Sequence, residues 1–151
     1  MAWKSWSPEM RKAIKESILS RKKSAEQCAG FLLHRESLSF PEFEDAFTGY
    51  LCDKFLLERE ELTTDDFYAI CQLSAEKASH LPPGLLDASE LASKCGGATT
   101  AMNKKVLFLL ALNRELGANL SAEEGVAIDT FTQLKVLVYD KLMEKRRGTG
   151  E

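Results

Sequence analysis

The sequence predicts an all-α protein, a helical bundle of six to seven helices. Capping residues recur along the chain, and each precedes apolar residues at helical spacing. Stretches that alternate between apolar and polar residues, as half-buried strands do, are scarce. The 151 residues, of which 44% are hydrophobic, are enough to bury a core without a disulfide or a metal ion.

Two N-terminal segments carry helix signals. Ser7, followed by a proline and a glutamate, is a typical helix start. Residues 24–27 have the form of a capping box, so a second helix could restart there. A single helix through both stretches is equally open, because no glycine or proline interrupts residues 9–29. The next helix is expected to begin at Ser39, with an apolar face of Phe43, Phe47, Tyr50, Leu51, Phe55 and sometimes Leu56.

Four further helices are expected in the C-terminal half. Residues 62–66 cap the first, and the prolines at 82–83 end it. Residues 101–116 form the second, whose centre is apolar nearly all round, which predicts burial on most sides. Residues 121–124 open a short helix with a capping box. Residues 129–130 cap the last helix, whose inward residues are expected to be Leu134, Leu137, Val138 and Leu142.

Two C-terminal segments carry a resemblance to a known family. They are residues 112–124, Leu-Asn-Arg-Glu-Leu-Gly-Ala-Asn-Leu-Ser-Ala-Glu-Glu, and residues 128–134, Ile-Asp-Thr-Phe-Thr-Gln-Leu. They resemble the entry to the third helix and the turn into the last helix of an acyl carrier protein. The resemblance covers about residues 66–145. It implies a carrier-like helical domain over 63–147, an N-terminal helical extension over 1–62 and a frayed tail over 148–151.

The chain departs from this family where the prosthetic group is attached. Carrier proteins attach phosphopantetheine to a serine at the start of the second helix, and the ungapped match places Met102 there. Methionine has no nucleophile that could accept the arm. Thr99 and Thr100 are close, but both precede the predicted helix. The resemblance therefore implies a scaffold that cannot carry phosphopantetheine at the usual position, and no cofactor is expected.

The start of this second helix is also the predicted partner-binding surface. The corresponding helix of carrier proteins is usually acidic, whereas this one begins with Met102, Asn103, Lys104 and Lys105. We therefore expect the charge that recognises a partner at this edge to differ in sign from that of carrier proteins. Trp3 and Trp6 either anchor a partner, since tryptophan is common in binding hot spots, or fold back over the bundle.

These observations favour a non-enzymatic protein-interaction module. The alternative is a small helical bundle that binds an apolar, acyl-type ligand beside Phe108, Leu109 and Leu112. An enzyme or redox protein that uses Cys95 has least support, and no catalytic residue is predicted. Residues 36–66 hold ten acidic and two basic side chains. They are either a docking face for a basic partner or solvated helix faces and acidic first turns.

Composition and missing motifs exclude several other classes. The net charge of −3 argues against nucleic acid as a partner. No apolar run reaches the length of a membrane helix, and the N-terminus lacks a signal-peptide pattern, so a cytoplasmic location is expected. No CxxC pair occurs, so no metal site is expected, and the four cysteines are interpreted as free thiols. The basic side chains of the first helix are interpreted as a solvated face: Arg11, Lys12, Lys15, Arg21, Lys22 and Lys23.

Overall fold

The fold is an all-α helical bundle. The structure, a computed structural model, describes residues 7–81, 94–95, 98–99 and 101–149. Its helices are α1 (Pro8–His34), α2 (Phe40–Phe55), α3 (Phe67–Ser79), α4 (Ala101–Ala111), α5 (Ala122–Ala127) and α6 (Phe131–Thr149). A 3₁₀ turn, Arg59–Glu61, follows α2, and a π-helical turn, Leu112–Leu116, continues α4. The two-residue strands β1 (Lys94–Cys95) and β2 (Ala98–Thr99) pair in antiparallel fashion.

The predicted helix starts are confirmed by their capping hydrogen bonds. Ser39 and Glu42 form a reciprocal capping box at α2, and Ser121 and Glu124 form another at α5. The Asp66 side chain accepts from a backbone N–H in the first turn of α3. Residues 8–34 form one continuous helix, so the possible restart at residues 24–27 does not occur.

The starts of α3 and α6 are joined to each other. The N–H of Phe67 donates to the carbonyl of Asp129, and the N–H of Phe131 donates to the carbonyl of Asp65 over 2.8 Å. A further bond runs from the N–H of Thr132 to the Asp65 carboxylate. Both helix starts thus satisfy backbone donors that the helices themselves leave unpaired. Helix α6 extends through Thr149, two residues into the segment that was predicted to be frayed.

One core joins the N-terminal helices to the rest of the bundle. Phe108 of α4 lies among aromatic rings of α2 and α3, with centroid distances of 5.0 Å to Phe55 and 6.1 Å to Phe67. The same apolar cluster runs from Ala25 in α1 to Leu142 in α6. The helices of the extension that the structure describes, α1 and α2, therefore pack on the C-terminal helices of the same chain.

Candidate functional site

Helix α4 is buried or half-buried except along one line of its surface. Ala101, Lys104, Phe108 and Ala111 face the core. On the opposite side Met102, Val106 and Leu110 are 54%, 46% and 52% exposed. They follow each other at intervals of four residues and therefore lie along one line of the helix. We call these three residues the apolar stripe. The other residues of α4 are buried or half-buried, so the predicted burial on most sides is confirmed and the apolar stripe is its exception.

A groove separates α4 from α1 beside the apolar stripe. Its volume is about 520 Å³, and we call it the α1–α4 groove. The C-terminal end of α2 borders it, and α1 meets the end of α4 at the π-helical turn. Its apolar lining residues on α1 and α4 are Ile18, Ala25, Ala29, Gly30, Leu33, Leu107, Phe108, Leu110 and Ala111.

Small residues on α1 keep this groove open. Ala25, Ala29 and Gly30 line it with at most a methyl group. A Cβ atom placed on Gly30 would meet no described atom within 4 Å. Leu33, at the end of the same face, is 39% exposed, and Leu110 belongs to both the groove and the apolar stripe. The groove and the stripe therefore form one continuous apolar surface.

A polar cluster stands at one end of the groove. The Tyr50 hydroxyl donates to Glu115 over 2.5 Å, and the Lys54 ammonium donates to the same carboxylate over 3.0 Å. Arg114 lies 3.2 Å from it. Burial raises the pKa of Tyr50 above its ordinary range, and the bond to Glu115 adds to this. Burial also opposes ionisation of Glu115, but the hydrogen bonds from Tyr50 and Lys54 outweigh it and lower the pKa of that carboxyl.

The predicted partner-binding residues have different surroundings. Met102 is exposed as part of the apolar stripe, and Asn103 is half-buried. Lys104 is only 6% exposed, with its ammonium 6.0 Å from the centroid of the Phe55 ring. The ammonium of Lys105 donates to the carbonyl of Ile128 over 2.9 Å. Lys104 and Lys105 thus stabilise the bundle and do not project as the predicted pair of docking charges. Trp3 and Trp6 lie outside the described residues.

The cysteine thiols that the structure describes are poor nucleophiles. Burial raises the pKa values of the Cys28, Cys52 and Cys71 thiols, that of Cys71 to about 12, and all three are unpaired. A thiol with a raised pKa holds little thiolate at neutral pH and reacts slowly. Thr100 and the side chains of Cys95 and Thr99 lie outside the described residues. Within the part of the chain that the structure describes, no group of three or more metal-binding side chains could hold a metal ion.

Many carboxylates of the acidic residues 36–66 form ion pairs inside the molecule. Five of the ten carboxylates form ion pairs, namely Glu42 with Arg35, Glu44 with Lys135, Asp45 with Arg59, Glu58 with Arg21, and Glu61 with Lys77. Glu42 and Asp66 also serve as helix-capping residues. Pairing and capping account for much of this acidity, which favours the interpretation as helix faces and first turns over a docking face.

Sequence reasoning missed the groove because its two walls come from distant parts of the chain. Two signals point towards it. One is the occurrence of the small residues Ala25, Ala29 and Gly30 within six positions of α1. The other is that the centre of α4 is apolar nearly all round. Comparison of the chain with family models, curated proteins and solved structures found no match. Among the described residues, no helix is long and apolar enough to cross a membrane.

Proposed function

We propose that this protein is a non-enzymatic docking module that receives a partner protein on the apolar stripe and the α1–α4 groove. The observation that carries the proposal is the continuity of the two features through Leu110. Exposed apolar surface of this extent next to a groove is typical of interaction sites. Buried thiols and free cysteines agree with a reducing compartment, and the proposed location is the cytoplasm.

The resemblance to acyl carrier proteins remains part of the proposal. Its support is the order of α3, a connection of about twenty residues, α4, the short α5 and α6, which is the layout that the resemblance implies. In this interpretation Met102 occupies the attachment position and is itself part of the apolar stripe. The surface to which carrier proteins attach phosphopantetheine would then contact a partner protein here.

Binding of an apolar small molecule is the second candidate. The groove volume of about 520 Å³ falls within the range of small-molecule sites. Of the residues predicted beside the ligand, Phe108 lines the groove, whereas Leu109 does not line it and Leu112 is fully buried. A small molecule in the groove would leave Met102 and Val106 exposed. Ligand binding therefore accounts for less of the exposed apolar surface than protein docking does.

Site-specific photo-crosslinking in the source cells tests the docking function. A photoreactive amino acid replaces Val106 or Leu110, and the matched control replaces Val136, which is 45% exposed on α6 and does not line the groove. We expect the same discrete protein adduct from Val106 and Leu110 and none from Val136. Equal adducts from all three positions, or none from the stripe, would refute the docking function.

A further inference from the structure

We draw no further inference here: the strongest candidate, the apolar α1–α4 groove with the apolar stripe beside it, carries nothing beyond the docking already proposed, because nothing in the structure shows what covers it.

Discussion

Replacement of Arg21 by methionine should destabilise the whole protein, although the residue lies in a run of basic side chains. One guanidinium nitrogen of Arg21 donates to the carbonyls of Cys52 and Leu57 over 2.9 and 2.8 Å. The Cys52 carbonyl lies in the last turn of α2 and the Leu57 carbonyl just beyond it, at the helix end where a positive charge is favourable. The other nitrogen contacts Glu58.

The size of the effect follows from these contacts. The carbonyl of Cys52 also accepts from the N–H of Leu57 over 2.9 Å, so it keeps a donor when Arg21 is removed. The carbonyl of the fully buried Leu57 loses its charged donor, at a cost of about 1.5–3 kcal/mol. The ion pair adds little, because Glu58 is 63% exposed. We expect the free energy of unfolding to fall by about 2–4 kcal/mol in total.

Urea unfolding followed by circular dichroism measures this change. The melting temperature should fall by about 5–15 °C at the same time. Lys23→Met is the matched control, since Lys23 is exposed on the same helix and should change the free energy by less than about 0.5 kcal/mol. Equal effects of the two substitutions, or an Arg21→Met protein as stable as the wild type, would refute the assignment of Arg21 as the cap of α2.

Three further predictions concern the bundle around the groove. Asn113→Ala should lower the free energy of unfolding, measured in urea, by about 2–4 kcal/mol. The Asn113 amide accepts from the N–H of Leu120 over 2.7 Å and donates to the carbonyl of Leu120 over 3.0 Å. A decrease below about 0.5 kcal/mol would contradict this. The lowered pKa of Glu115 stabilises the fold above the carboxyl's ordinary pKa near 4.5, and this contribution is lost as the pH falls through the lower folded value. Glu115→Gln should therefore flatten the acid dependence of stability below about pH 4.5, and an unchanged dependence would contradict the pairing. Burial raises the pKa of Cys71 to about 12, so this thiol should react with iodoacetamide more slowly than Cys28 at pH 8. Peptide mass spectrometry measures the two rates, and a faster reaction of Cys71 would contradict its burial.

The helix starts could be predicted because capping is a local property of the sequence. Ser39 with Glu42 and Ser121 with Glu124 are three residues apart, and each pair forms the reciprocal hydrogen bonds that its spacing predicts. Gly117 is the C-cap of the π-helical turn and has a φ of 64°, which suits glycine. Such signals depend on a few neighbouring residues and not on the rest of the fold.

The surroundings of α4 and Arg21 could not be predicted, because they depend on contacts between distant residues. An all-round apolar helix indicates burial only where neighbours cover it, and Val106 on α4 is 46% exposed. Lys104 is buried, although it was predicted to bind a partner, and Arg21 bonds carbonyls more than thirty residues away, although it was interpreted as part of a solvated face. Neither arrangement has a signature in the neighbouring sequence, so the groove became visible only in the folded bundle.

Native and denaturing mass spectrometry on the protein purified from its source at low salt tests the central claim most directly. We predict the mass of the bare chain under denaturing conditions and a complex with one protein partner under native conditions. The complex should persist with Val136→Glu and disappear with Val106→Glu, since only Val106 belongs to the apolar stripe. A covalent adduct on the chain, a bound apolar small molecule without a protein, or a complex indifferent to Val106→Glu would contradict docking at this surface.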